Sequence, residues 1–166
     1  MAAFLNPGGW GRSFTAAMDM YENMAGMWLV GEDMPQESNR ITLAEDEDQF
    51  GMPVANVHFD DHPNDIAMRN HAYQQGMALY DAVGATQTYP TPPYPSTHNL
   101  GTLRMSHRGD DGVVNRFGQS HDINNLFVSD GSQFTTGGAE NPTLTIVSLA
   151  IRQADFIANQ MTAQNI

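Results

Sequence analysis

The pattern of apolar and polar positions is most informative in the last third of the chain, between Asn124 and Asp155. Leu126-Phe127-Val128 is a short apolar run that stops at Ser129-Asp130-Gly131, a pattern typical of a buried strand with a site at its carboxyl end. A loop of small residues follows at 135–140. The pattern therefore predicts a strand, a turn and a glycine-containing loop in succession.

A long helix is predicted after this loop. Asn141-Pro142-Thr143 opens it, with Asn141 as N-cap and Pro142 at the first helical position. Strand, loop and helix start would together offer unpaired backbone N–H groups and the positive end of the helix dipole, which suit an electron-rich ligand group. Residues at helical spacing give the helix one apolar face: Leu144, Val147, Ile151, Ala154, Ile157 and Ala158.

The first half of the chain predicts a hairpin followed by a helix. Apolar and polar residues alternate within 37–59, and the acidic run Glu45-Asp46-Glu47-Asp48 is expected to form a solvated turn between two strands. Pro63 suits the first position of a helix over 63–83, and Gly84 suits its end.

Composition and charge narrow the possible partners. The chain has 166 residues, enough for one domain or one piece of a larger protein, and no apolar run approaches a membrane span. A net charge of −12, with arginine as the only strongly basic residue type, argues against nucleic acid and anionic membranes. Cysteine is absent, which excludes disulfides and thiol chemistry. Met1 is not followed by the apolar stretch of a secretory signal.

Metal and hydrolase sites are not expected from the sequence. The spacing of His58, His62 and His71 does not place them on one face, and the acidic run lacks the spaced oxygen ligands of a calcium loop. Ser132 lacks the G-x-S-x-G context of a serine nucleophile.

A second stretch, His98 to Met105 with the sequence HNLGTLRM, adds a side chain that can take a proton near neutral pH. Between His98 and Asp155 the chain carries, in order, H-x-x-G-T-x-R-M, V-V, N-L-F-V-x-D-G-S, N-P-T-L-T-I and A-x-R-x-A-D. This ordered set resembles the carboxyl-terminal part of glucose–methanol–choline (GMC) oxidoreductases, flavoproteins that oxidise alcohols. A weaker match at residues 39–43 precedes it.

The resemblance implies FAD as cofactor and a role for each matched residue. His98 matches the catalytic histidine that accepts the substrate proton. Asn141 matches the second active-site position, where an amide can bind and orient the substrate oxygen. Asp130 and Gly131 match the turn near the ribityl and pyrophosphate part of FAD. The helix start at Asn141-Pro142-Thr143 would stabilise the negative charge of the reduced flavin.

The fold class implied by the resemblance is α+β, with a largely antiparallel sheet backed by helices. Residues 1–36 form an amino-terminal helical and loop segment. Residues 37–119 supply the hairpin, helix and histidine loop of a substrate-domain-like part. Residues 120–166 form a strand, loop and helix that would belong to the flavin domain.

One element of the family is missing. The G-x-G-x-x-G fingerprint that holds the ADP half of FAD does not occur, since Gly8-Gly9-Trp10-Gly11 has no preceding strand. We therefore expect a carboxyl-terminal portion that depends on an amino-terminal FAD-binding half, is inactive alone, and self-associates through exposed apolar surface.

Two functional hypotheses follow from these features. The N-P-T-L-T-I variant favours a sugar, polyol or sugar acid as substrate. The alternative function is a non-catalytic, stand-alone binding or assembly module that kept the fold and lost the flavin-binding half.

Overall fold

A computed structural model describes residues 10–93 and 96–166. Glycines 8 and 9, and the end of the proline-rich stretch before His98, lie outside the described residues. The elements are α1 (Arg12–Asp19), a 3₁₀ turn (Tyr21–Asn23), strands β1 (Arg40–Glu47) and β2 (Pro53–His58), α2 (Pro63–Ala82), a second 3₁₀ turn (Gly131–Gln133) and α3 (Thr143–Thr162). Helices and a two-stranded antiparallel sheet make this a small α+β structure.

The described chain divides into two compact units. The first combines Met1–Gly31 with Ile66–Ser96, and the second combines Glu32–Asp65 with Thr97–Ile166. In the first unit, α2 packs on the segment after α1. The Tyr80 hydroxyl donates to the Ala25 carbonyl at 2.9 Å, and Gly76 is buried beside the Leu29 side chain.

The predicted hairpin is confirmed. Arg40 pairs with His58 and Leu43 with Ala55, and the register shifts between Leu43 and Glu47. The acidic run is not the turn, because Glu45 to Glu47 extend β1 and only Asp48 lies in the turn. Its carboxylate accepts hydrogen bonds from the backbone N–H groups of Phe50 and Met52, which closes the turn.

The start and end of α2 also follow the prediction. Pro63 is its first residue, and Gly84 follows its end with a φ of +82°, a conformation that favours glycine. Asp65 supplies the amino-terminal cap, because its buried carboxylate accepts from the backbone N–H of His62 and also from that of Met34. The His62 ring accepts from Asn64 N–H.

Helix α3 departs from the prediction in its start and in its buried face. Pro142, whose ring cannot accept a hydrogen bond, stands at the N-cap position in place of Asn141. Its backbone is already helical, and its carbonyl accepts from Ile146 N–H, so proline leads the chain directly into the helix.

Apart from Ile157, the covered residues of α3 lie on a different side from the predicted apolar face. Leu144 is 80% exposed and Ile151 62% exposed. Because α3 carries apolar residues on both sides, their spacing alone did not decide which side packs. The covered side consists of Ile146, Leu149, Ala150, Gln153, Phe156, Ile157 and Gln160.

The predicted buried strand at Leu126-Phe127-Val128 is wrong for this structure. Only Phe127 makes a bridge, to Gln119, and Leu126 is 49% exposed. A run of apolar residues becomes a core strand only where neighbouring strands cover it on both edges. Within the described residues, no such pair of strands flanks this segment. None of the helices within residues 10–93 and 96–166 is long and apolar enough to cross a membrane.

Candidate functional site

The loop that carries His98 runs alongside the 3₁₀ turn at Gly131–Gln133. The backbone N–H groups of Gly101, Leu103 and Met105 donate in succession to the carbonyls of residues 131, 132 and 133, at 3.4, 2.9 and 2.8 Å. The loop itself is bent here, because Gly101 has a φ of +86° and residues 102 and 103 form a turn. The structure therefore brings together two predicted stretches that are about 30 residues apart in the sequence.

Gly131 is buried where these two segments meet. A side chain there would collide with Leu100, would lie 3.3 Å from Ile146 Cδ1 and would lie 3.5 Å from the Asn99 carbonyl oxygen. Leu100 and Asn99 belong to the His98 loop and Ile146 to the first turn of α3. The missing side chain thus allows the histidine loop, the turn and the helix start to pack at one point.

Asp130 caps the turn and is ionised more readily than an ordinary aspartate. Its carboxylate accepts from both the hydroxyl and the backbone N–H of Ser132, and these hydrogen bonds hold the pKa of Asp130 below its usual value despite slight burial. Asp130 is exposed to solvent. An exposed carboxylate that stays ionised is a hydrogen-bond acceptor for hydroxyl groups of a ligand.

The glycine-containing loop before Asn141 is held by a residue that the sequence did not indicate. A carboxylate oxygen of Glu32 accepts from Gly138 N–H at 3.0 Å, and Gly138 has a φ of +60°. Gly137 of the same loop lies beside Leu100. The separation of Glu32 and Gly138 by 106 positions gives no local sequence signal for this contact.

The predicted site residues differ in accessibility. His98 and Asn141 are exposed, as is Thr143, the first residue of α3, whereas Gly131 and Pro142 are buried. The exposed residues offer an imidazole, an amide and the first N–H groups of a helix of 20 residues. Each of these groups can form hydrogen bonds with a ligand.

A cleft of about 410 Å³ lies next to the histidine loop. Residues 39–41 at the start of β1 form one wall, and Gly101, Thr102 and Leu103 form the other. Asn39 fixes the first wall, because its side chain exchanges two hydrogen bonds with the backbone of Asp60. The sequence indicated residues 39–43 only as a weak family match, so the cleft is a feature that the structure adds.

Comparisons with known proteins identify the family of this chain. A family model described as GMC oxidoreductase matches residues 35–150. The chain is 40% identical to the 2-methyl-1,2-propanediol dehydrogenase of Mycolicibacterium austroafricanum over 92% of its own length and 29% of the relative. It is 33% identical to the fructose dehydrogenase large subunit of Gluconobacter japonicus, over 78% of the chain and 24% of the relative.

A third relative is the gluconate 2-dehydrogenase flavoprotein of Pantoea cypripedii, which is 29% identical over 91% of the chain and 26% of the relative. The chain thus spans less than a third of the length of each of these relatives. The family match covers the histidine loop, the Asp130 turn and the start of α3 together. The chain belongs to the GMC oxidoreductase family and carries its carboxyl-terminal domain.

Proposed function

We propose that this chain supplies the proton-accepting part of an FAD-dependent oxidoreductase that oxidises CH–OH groups. The observation that supports this proposal best is the row of backbone hydrogen bonds that fixes the His98 loop against the Asp130–Gly131 turn. In a member of an oxidoreductase family, this row joins the candidate base to the candidate cofactor turn. Neither stretch alone would carry the assignment.

His98 is the proposed general base. Oxidation of an alcohol to a carbonyl breaks an O–H and a C–H bond, and a ring nitrogen of His98 accepts the hydroxyl proton. When bound, FAD supplies the acceptor for the hydride that leaves the carbon. The exposed Asn141 amide donates a hydrogen bond to the substrate oxygen and orients it, since an amide cannot act as a base.

Asp130, Gly131, Asn141, Pro142 and Thr143 are the residues that would hold FAD. The ionised Asp130 carboxylate would accept from hydroxyl groups of the cofactor. The start of α3 would place helix N–H groups and the positive dipole end near negative charge. Gly131 acts indirectly, because Leu100 and Ile146 occupy the space beside it and so set the position of the turn.

The proposed substrate class is a sugar, a polyol or a sugar acid. The relatives include a diol dehydrogenase, a fructose dehydrogenase and a gluconate dehydrogenase. The compound in each of these names carries more than one hydroxyl group. Thr102 and Arg40 are among the residues that line the cleft beside the histidine loop, and their side chains are of types that bind hydroxyl and carboxylate oxygens.

We also propose that activity requires a flavin-binding part beyond the 120–166 segment of this chain. The exposed side of α3, with Leu144, Val147 and Ile151, is available to pack against such a part or against a second copy. In this proposal, the amino-terminal segment at residues 1–36 is helical and loop structure. Residues 37–119 form the substrate-domain-like part. The chain alone would retain little or no flavin.

A visible absorption spectrum tests whether the chain alone retains flavin. The spectrum is recorded before incubation with FAD, and again after incubation and desalting. A colourless protein supports the requirement for a further flavin-binding part. A retained flavin spectrum would show that the chain completes a cofactor site without one.

Replacement of His98 tests the catalytic assignment in the flavin-loaded enzyme. We expect His98→Ala to lower the rate of alcohol oxidation by about 100-fold or more without loss of flavin, because the proton acceptor is removed. His107→Ala is the matched control, since His107 is another exposed histidine of the same unit. Equal turnover of the two variants would exclude His98 as the base.

A further inference from the structure

Gln153 is a buried polar residue on the covered side of α3. Its side chain is 5% exposed, and its amide nitrogen donates to the carbonyls of Phe117 and Val128 at 2.9 and 2.7 Å. Both acceptors belong to segments outside the helix. A single amide therefore joins α3 to two separate stretches of backbone, and it satisfies carbonyls that would otherwise be costly to bury.

Gly118 makes room for this amide. Its φ is +71°, and a side chain at that position would collide with the Gln153 amide and would lie 2.5 Å from the Val128 carbonyl oxygen. The Gly118 carbonyl in turn accepts from Val128 N–H at 2.8 Å. The turn at residue 118, residue 128 and α3 thus meet with no space for a larger residue.

Phe156, one turn along α3, reinforces the same contact. Its ring stacks on that of Phe117 with centroids 4.1 Å apart and planes within 4°. Gln153 and Phe156 lie on one side of the helix and both contact Phe117. Together they fix the rotation of α3 about its own axis relative to this turn.

The contact continues toward the candidate site. Val128 lies two residues before Asp130, which caps the turn that accepts the three backbone hydrogen bonds of the His98 loop. Gln133, the last residue of that turn, is also buried, and its side-chain oxygen lies near Gly118. An uninterrupted set of contacts therefore runs from Gln153 through Val128 and the turn to the histidine loop.

We infer that Gln153 is a positioning residue, which sets the Asp130 turn and, through it, the His98 loop by holding the Val128 carbonyl on α3. This inference rests on the proposed function for its catalytic consequence. Its structural half, the dependence of the histidine loop on the Gln153 amide, can be tested on the chain alone.

Amide hydrogen exchange of the chain is the first test, with Gln153→Met as the variant. Methionine has a similar length but cannot donate to either carbonyl. We expect Leu103 and Met105 N–H, which donate to the turn, to exchange roughly tenfold faster, while the β1–β2 hairpin is unchanged. Gln160→Met is the matched control, because Gln160 lies on the same side of α3 and its side-chain oxygen accepts from the nearby Asn165 amide. Unchanged exchange at Leu103 and Met105 would overturn the inference.

A milder second variant covers the case in which Gln153→Met does not fold. Gln153→Asn keeps the donor group but shortens its reach, so the same amides should exchange faster by a smaller factor. Exchange equal to that of the original protein at those amides would also overturn the inference.

Steady-state kinetics of the flavin-loaded enzyme test the catalytic half. We expect Gln153→Met to lower kcat by up to about 100-fold with little change in KM, since the base is displaced from its working position. Unchanged kcat in a variant whose loop amides exchange faster would make Gln153 merely structural. Absence of alcohol oxidation by the original enzyme would instead refute the proposed function, and the exchange result would still decide the structural half.

Discussion

Replacement of Gly131 by alanine tests whether the histidine loop, the turn and α3 are packed as tightly as the structure indicates. The added methyl group would collide with Leu100 and approach Ile146 Cδ1 to 3.3 Å. Both contacts are ends of flexible side chains, and only the Asn99 carbonyl, at 3.5 Å, belongs to the backbone. The collision is therefore relieved by moving Leu100, the residue that lies two positions after His98.

The expected loss of stability follows from two opposing effects. Overpacking of a filled site costs about 1–3 kcal/mol, and a flexible neighbour places Gly131→Ala toward the lower end. Reduced freedom of the unfolded chain returns about 0.4–1 kcal/mol, because Gly131 does not have a positive φ. We expect a net loss of about 0.5–2 kcal/mol, or roughly 2–6 °C in Tm.

Urea unfolding measures this change, with Gly137→Ala as the matched control. A methyl group at residue 137 would lie 3.6 Å from Leu100, an ordinary contact, so the control should have unchanged or slightly higher stability. Leu100→Ala combined with Gly131→Ala should lose less than the sum of the two single changes, because the collision partner is gone. Equal midpoints for the two single glycine variants would refute the packing argument.

Three further predictions concern the residues around this contact. Ser132→Ala should raise the pKa of Asp130 toward its ordinary value of 3.8. Because the pKa of Asp130 is lowered in the folded chain, its ionised carboxylate stabilises the fold above the pKa of the unfolded chain, and this stabilisation is lost as the pH falls through the pKa of the folded chain. Acid unfolding monitored by circular dichroism should therefore begin at a higher pH in the variant. Glu32→Ala should speed amide exchange of Gly138, whereas Glu32→Gln keeps an acceptor oxygen and should not; equal rates in both variants would mean that Glu32 does not hold the loop. Asn141→Ala should lower kcat/KM of the flavin-loaded enzyme without lowering Tm, because Pro142 rather than Asn141 occupies the N-cap position; a fall of Tm by several degrees would restore the capping role.

The parts of the fold that the sequence predicted well are those set by local chemistry. Pro63 and Gly84 bound α2 through their own backbone preferences, and Asp48 closes the hairpin by bonding to N–H groups within four residues of itself. These signals act within one turn or one helix end. They do not depend on the rest of the molecule.

The parts that the sequence could not predict depend on long-range packing. A rule that puts polar residues outside would place Gln153 on the exposed side of α3, yet it is buried because two carbonyls accept its amide protons. Glu32 reaches Gly138 across 106 positions. Ordered family motifs identified the His98 and Asp130 stretches, but not the backbone hydrogen bonds that join them.

Helix α3 has apolar residues on two sides, which is why their spacing predicted the wrong buried side. On the covered side, Gln153 and Phe156 set its rotation against the turn at residue 118, while Ile146 reaches Gly131 at the site. On the exposed side, Leu144 and Ile151 are apolar without being covered by the described chain. A helix that carried only the first set would need no apolar residues on its other face, and exposure of that face is unfavourable in water. In the proposal above, the covered side of α3 positions the histidine loop within this chain, and the exposed side is where a flavin-binding part or a second copy would pack.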